Sequence, residues 1–268
     1  MRFLYLLSVL ALAAVSQSAA ALAEGPRWTW DRDTIGLNCT LVQDIPSNFT
    51  AVSVTRGVGS DGGSLSFKVR SPKFTRGTYE GASIEFSDGT RLDSDVSVYS
   101  SEHRRYRIEA SSPDPRFLNA LAKSDALTVA HPDFGSHKVV VRETTAAAQA
   151  LRTCEDGLLA RWGVDPKAHW ALASRPRPID KLYKFFDPSD YPSVGIRRGV
   201  QSNVVAKLDV GPDGRVQSCS SPGKHDFVEF VRAACDKLKE KARFHPAIRA
   251  DGKPTAAPFV VVIRWVLA

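Results

Sequence analysis

Val204-Val205-Ala206-Lys207-Leu208-Asp209-Val210-Gly211-Pro212-Asp213-Gly214-Arg215 is the stretch on which the reading of this chain turns. Val204, Ala206, Leu208 and Val210 share one face and Val205, Lys207 and Asp209 the other, the period of a half-buried strand. Gly211-Pro212-Asp213-Gly214 reverses the chain, with proline presetting one dihedral and glycine supplying a positive one. Arg215 to Ser220 then returns as the second strand of an antiparallel hairpin. From His225 to Ala242 the period lengthens. Phe227, Phe230, Val231, Ala234, Cys235 and Leu238 recur at helical spacing, and Arg232, Lys237, Lys239 and Glu240 mark an outer face. One amphipathic helix is therefore expected on the hairpin. Phe244-His245-Pro246-Ala247 ends it, Asp251-Gly252-Lys253-Pro254 turns the chain, and the β-branched run Phe259 to Leu267 is the third strand. Phe259, Val261, Ile263, Trp265 and Leu267 are placed toward the helix, and Val260, Val262, Arg264 and Val266 outward. A strand apolar on both faces is either buried or completed by a partner.

This β-β-α-β order has Tyr191-Pro192 ahead of it, Val210-Gly211-Pro212-Asp213-Gly214-Arg215-Val216 at the hairpin, Arg243-Phe244-His245-Pro246-Ala247 after the helix and Asp251-Gly252-Lys253-Pro254 before the last strand. Four short motifs in that order and spacing resemble the TonB C-terminal domain over residues 188–268. The resemblance implies a bacterial envelope protein and a peptide-binding module. In that family the corresponding strand borders the sheet and receives an extended peptide, the TonB box of an outer-membrane receptor, by strand addition. It nominates the backbone from Val260 to Arg264 as the partner-binding edge, with Val260, Val262 and Arg264 as its residues. A homodimer seam, or a cover supplied by the rest of the chain, would use the same edge.

Residues 1–23 have the layout of a cleavable secretory signal: an early Arg2, an apolar stretch from Phe3 to Val15 and an Ala21-Leu22-Ala23 ending. An uncleaved anchor is the competing reading, but the apolar core is short for a membrane span and runs into Ser16-Gln17-Ser18. Removing Arg2, the one charged residue of that segment, takes the formal charge from +7 to +6. That charge is too diffuse to imply a nucleic-acid ligand, and an exported protein rarely meets one. The expected location is the periplasm, with no transmembrane span after cleavage.

Between Glu24 and about Gly163 the sequence is mostly short extended segments: residues 39–43, 51–55, 64–70, 82–86, 95–100, 105–109, 127–130 and 138–142, separated by Gly, Asp, Ser or Pro clusters. Two helices interrupt them, one over 114–123 and a longer one from about Thr145 to Trp162, which Thr144 or Thr145 can cap and Gly163 can end. Leu127 to Asp165 is similar to the closing portion of N-terminal domains in uncharacterised envelope proteins that also carry TonB-like modules, which brings no activity with it. From Asp165 onward Pro176, Pro178 and Pro188 break regular structure, and Arg175, Arg177, Lys181 and Lys184 make the stretch basic. Trp170, Tyr183, Phe185 and Phe186 are expected to pack between domains. The fold class is thus α+β. A β-rich N-terminal domain, sandwich or barrel-like, with two helices spans residues 24–164. A Pro-rich basic linker follows over 165–187, and a small C-terminal β-β-α-β TonB-like domain closes the chain over 188–268.

Four cysteines in an exported chain imply oxidation. They allow three pairings, of which the one that follows the domains joins Cys39 to Cys154 and Cys219 to Cys235. The second bridge would staple helix to hairpin and contribute roughly 3 kcal/mol, and the first, closing a longer loop, roughly 4 to 5 kcal/mol.

Motifs for chemistry are weak. His131 and His137 match no metal-ligand spacing, and His131-Pro132 with Gly135 reads as a hairpin loop. Arg56-Gly57-Val58-Gly59-Ser60-Asp61-Gly62-Gly63 precedes a strand, where a phosphate cradle needs a helix, so a flexible hairpin tip is expected. No Ser, His and Asp set sits in a nucleophile elbow. Asp93 with Asp95, and Glu155 with Asp156, fall where solvated surface is expected, and the sequons at Asn38 and Asn48 are read as chance. The expectation is a protein that is not an enzyme, with no cofactor and no metal. It would bind a protein or peptide partner in the envelope, such as a TonB-dependent receptor, in TonB-type transport or envelope docking. The alternative is a structural or interaction protein that uses the fold as a scaffold, without energy transduction.

Overall fold

The expected alternation in the first domain produces one sheet. The computed structural model describes residues 27–31, 38–45, 51–57, 61–70, 76–101, 105–222 and 226–267. The segment expected as a signal, residues 1–23, and the sequon at Asn48 lie outside them. Nine strands form the first sheet: β1 (Trp28–Trp30), β2 (Asn38–Gln43), β3 (Val52–Gly57), β4 (Gly63–Arg70), β5 (Gly77–Phe86), β6 (Arg91–Ser101), β7 (Arg105–Ser112), β8 (Ala126–His131) and β9 (Gly135–Val140). All neighbours are antiparallel, in the order β1-β2-β3-β4-β7-β6-β5-β8-β9. Register explains the two faces. Leu41, Val54, Leu65, Ala110 and Val96 lie side by side across five strands and are buried, while Thr40, Thr55, Ser64, Ser111 and Asp95, one residue along, form the outer row. A period of two puts every second residue on the core side.

The inner face wraps two helices, α1 (Phe117–Ala122) and α2 (Thr144–Arg161), whose Phe117, Leu121, Leu151 and Leu159 are buried in the same core. Neither Thr144 nor Thr145 caps α2. Glu143 occupies that position at φ 54°, and the two hydroxyls donate to the carbonyls of Ser124 and Ala122, 2.6 and 2.7 Å away, so they tie α2 to the end of α1. Gly163 ends α2 at φ 68°. The curled sheet is drawn together at its margins by the buried side chain of Gln43. Its Nε2 donates to the Arg142 carbonyl at 3.1 Å and its Oε1 accepts from the Arg142 amide at 3.0 Å, while the Trp28 indole donates to the same carbonyl at 2.6 Å. A side-chain amide thus stands in for a missing ladder rung between β2 and the residues after β9, and the barrel-like alternative is realised as one open, rolled sheet.

The segment expected as a linker is a structured strap. Asp165 caps α3 (Pro166–Trp170), accepting from the Lys167 amide at 2.9 Å, as short carboxylate side chains do at helix starts. Next comes β10 (Arg177–Pro178), then two 3-10 turns over Leu182–Phe185 and Pro188–Asp190. Phe185 and Phe186 pack against the second core, but Tyr183 is 69% exposed, contrary to the expectation that it packs between domains.

The C-terminal part follows with α4 (Ser193–Arg198), β11 (Ser202–Val210), β12 (Val216–Ser220), α5 (Val228–Lys241), β13 (Phe244–His245), β14 (Ala247–Ile248), β15 (Pro254–Thr255) and β16 (Ala257–Trp265). The expected β-β-α-β order is present, with sheet order β12-β11-β16. The Tyr191-Pro192 motif has a packing reason. The Tyr191 hydroxyl donates to the Val200 carbonyl at 2.7 Å, and its ring meets Phe230 and Trp265 edge-on. Gly195 sits so close that an added Cβ would lie 2.5 Å from the Phe230 ring and 2.7 Å from Tyr191. Both disulfides follow the domains: Cys39 with Cys154 at a Cα separation of 6.0 Å, and Cys219 with Cys235 at 5.5 Å. Replacing Gln43 with Leu should cost about 1 to 3 kcal/mol by stranding the Arg142 backbone groups. In hydrogen exchange the Arg142 amide should lose protection first, and unchanged protection there would show that the clasp is not what holds the sheet margins.

Candidate functional site

The β11–β16 register runs without a slip from Ser202 opposite Trp265 to Val210 opposite Ala257. Residues directly opposite in an antiparallel pair share a face. Val204, Ala206 and Leu208 therefore lie with Ile263, Val261 and Phe259 toward α5, and all six belong to the second core. Val205 lies opposite Val262, Lys207 opposite Val260 and Asn203 opposite Arg264 on the other face. That face is not bare. Val205 is buried in the core of the first domain, with Val260 and Val262 packed against it, and Lys207 Nζ reaches the Gly163 carbonyl at 3.5 Å. Arg264 and Val266 lie in solvent.

The three residues nominated as a partner-binding edge thus separate. The side chains of Val260 and Val262 are partly buried against the first core, and that of Arg264 is exposed. The backbone is a different matter. β16 pairs with β11 on one side, and among the described residues no strand pairs with its other rim. α5 lies over one face of this strand pair and the first domain over the other.

The first domain is fastened to the strap by charge. Arg56, at the start of the Gly-rich stretch, is fully buried. Its guanidinium donates to Glu155 Oε1 at 3.0 Å and Oε2 at 3.3 Å and to the carbonyls of Asp61, at 2.8 Å, and Gly62. Glu155, expected on the surface, is fully buried on α2. Its neighbour Asp156 accepts from the Trp170 indole at 2.6 Å. Trp170 is stacked by Arg152, with the guanidinium carbon 3.8 Å from the ring centroid, and is approached by Arg175 at 5.0 Å. Arg175 in turn pairs with Asp61. The carboxylates Glu155 and Asp156, expected on a solvated surface, and the loop around Asp61, expected to be a flexible tip, instead join α2, the loop after β3 and the strap. A sequence signal existed for one of them: Arg152 and Glu155 lie three apart on a helix, and so share a face. Nothing in the sequence announced Arg56.

Burial pushes the Glu155 carboxyl above its ordinary range, against the pull of Arg56. Desolvation therefore offsets much of the attraction in this pair, the usual balance for a buried ion pair. Removing one partner is another matter, because it strands a buried charge. Arg56→Met should destabilise the protein by about 3 to 5 kcal/mol in urea unfolding, while Arg56→Met with Glu155→Leu should recover most of that loss. A double variant no more stable than the single one would show that the pair contributes net stability.

His169, on α3, is buried against Trp170, ring centroids 4.5 Å apart, and neither of its ring nitrogens has a hydrogen-bond partner among the described residues. Burial, reinforced by Arg175 and Arg152, lowers its pKa to about 4. It is one wall of a cleft of about 410 Å³ between strap and C-terminal sheet, which Asp165, Lys207, Asp209 and Arg249 also line. Both histidine forms are neutral at pH 7, so this group is silent there. As the pH falls from about 6.5 toward about 4 the unfolded chain takes up a proton that the folded chain refuses. Stability is then lost, by up to about 3 kcal/mol. His169→Leu should flatten that part of the stability curve, and an unchanged slope between pH 6.5 and 4 would remove His169 as its source.

His131 and His137 flank the β8–β9 hairpin and stack on either side of Phe134. Among the described residues no three His, Cys, Asp or Glu side chains converge as a metal site would require. Asp93 and Asp95 are exposed on β6.

Residues 187–267 match the family model described as Gram-negative bacterial TonB protein C-terminal. The C-terminal domain is of that family, as its four motifs indicate, and the match covers under a third of the chain. No curated protein matches the chain.

Proposed function

We propose that this chain, whose C-terminal domain is a TonB C-terminal domain held against a rolled β-sheet domain, is a periplasmic protein that binds an envelope partner. The partner adds an extended peptide strand to the free rim of β16. The observation that carries this reading is the combination of an unpaired rim with two covered faces. β16 offers nine residues of backbone in one straight register, Ala257–Trp265. Strand addition draws its affinity from main-chain hydrogen bonds, each worth about 0.5 to 1.5 kcal/mol net, so it tolerates varied sequences. Cover on both faces holds the rim in place before binding and so lowers the ordering cost of association.

The role we infer is docking or TonB-type transport without chemistry. Energy transduction needs coupling to the inner membrane. Among the described residues no helix is long and apolar enough to cross a bilayer, and residues 1–23, the expected signal or anchor, lie outside them. A receptor carrying a TonB box is the partner class that the C-terminal family implies. The scaffold reading, in which the first domain or the strap holds the partner, makes a different prediction for the same experiment.

In the isotope-labelled full chain, titration with a synthetic peptide bearing a receptor TonB box should protect alternate amides within Ala257–Trp265 from exchange. It should leave those bonded to β11 unchanged. Peptide binding that leaves every amide of β16 untouched would transfer the site to another surface, and no binding at all would remove this partner class.

A further inference from the structure

The strap carries a surface that peptide binding does not use. β10 pairs with β13 so that Arg177 lies opposite His245 and Pro178 opposite Phe244, and the Ile179 amide donates to the Arg243 carbonyl at 2.9 Å. On its other side Arg243 bridges to Arg215, antiparallel. Three chain segments therefore form a small ribbon. Phe244 is buried, so the residues alternating with it, Arg243 and His245, point away from the core, and so do Arg177, Ile179 and Arg215 in register with them. Immediately after the ribbon come Lys181, Tyr183 and Lys184, all exposed. Lys241 closes α5 one residue before Ala242 and adds another exposed cation.

Two properties of this face narrow its partner. Its charge is predominantly positive. The carboxylates nearby are Asp180, Glu240, Asp187, which acts on Lys241, Asp213, which faces Arg215 at 3.9 Å, and Glu80, which faces Lys181 at 3.6 Å; Arg177 and Lys184 are the exposed cations for which no such carboxylate partner stands opposite among the described residues. The same stretch of chain also exposes apolar groups, with Ile179 at 54% and Tyr183 at 69% exposure. A purely basic face suits any polyanion. Cations interleaved with a projecting aliphatic and a phenol suit a layered surface, with phosphate at the outside and hydrocarbon just beneath. The face lies at the β12 margin of the C-terminal sheet, opposite the free rim of β16.

We propose that this ribbon and the adjoining turn form a peripheral docking surface for an anionic phospholipid membrane, with Arg177, Lys181, Lys184 and Arg215 against the headgroups and Ile179 and Tyr183 inserted below them. The protein then lies reversibly on a bilayer and leaves the β16 rim free for its peptide. Because the two surfaces are separate, this docking stands or fails independently of strand addition.

The test is co-sedimentation of the full chain with vesicles of phosphatidylcholine alone and of phosphatidylcholine mixed with phosphatidylglycerol. Binding should require the anionic lipid and fall with added salt. Lys184→Ala and Arg177→Ala should each weaken it about five-fold, the value of one cation near such a surface. Ile179→Ser with Tyr183→Ser should weaken it further without altering the salt dependence. These positions are exposed, so the variants keep the fold, which an unchanged unfolding midpoint verifies. Equal binding to both kinds of vesicle, no binding, or binding indifferent to these substitutions would overturn the proposal. So would saturable binding to soluble polyglutamate alongside indifference to anionic vesicles, which would assign the face to an acidic protein.

Discussion

A β-strand pair that is apolar on both faces has to be covered twice, and in this protein that requirement organises the molecule. β11 and β16 put Leu208, Val261 and Ile263 on one face and Val205, Val260 and Val262 on the other. A helix from the same domain supplies the first cover. The second comes from the neighbouring domain, so what would be a two-layer module becomes three layers: α5, sheet and the first core. Burial of Val205 in the first core means that separating the domains would expose apolar surface, worth about 1.5 to 3 kcal/mol for each fully buried valine-sized side chain.

The strap is built to hold that arrangement. It leaves α2 at Gly163, packs α3 back beside α2, and is fastened by Trp170 between the guanidinium groups of Arg152 and Arg175. Ser174 then exchanges backbone hydrogen bonds with Ile248, and β10 pairs with β13. Each of these contacts ties the strap to one domain or the other. The joint is polar where it meets α2, and the two cystine bridges brace the elements on either side of it. The strand rim that no described strand pairs with and the Arg177–Arg243 ribbon thus lie at opposite margins of the C-terminal sheet.

Local periodicity made much of the fold legible. The hairpin, the amphipathic helix and the last strand of the C-terminal domain stand where the alternation and the helical spacing put them, because each element's pattern is a property of consecutive residues. Most strands of the first domain were legible for the same reason. β1, only three residues long, was not, because too short a run shows no period. The rolled sheet was not legible either: its margins are drawn together by the Gln43 amide reaching Arg142, a contact across ninety-nine residues that no local pattern encodes.

By itself, then, the sequence determined the α+β class and the TonB-like order of the last domain, since these follow from period and turn chemistry, and of three possible cysteine pairings it favoured the one that follows the domains, which the fold brings together. It also showed that β16 is apolar on both faces, but not what covers the outer one. Only the tertiary structure decided that Val260 and Val262 pack against the first core while, among the described residues, no strand pairs with the backbone rim beside them. The same holds for Glu155 and Arg56, charged residues that read as surface until a partner ninety-nine residues away makes burial tolerable. The reason is common to both. Whether a side chain is covered depends on which distant element arrives against it, and that is settled by the packing of whole domains.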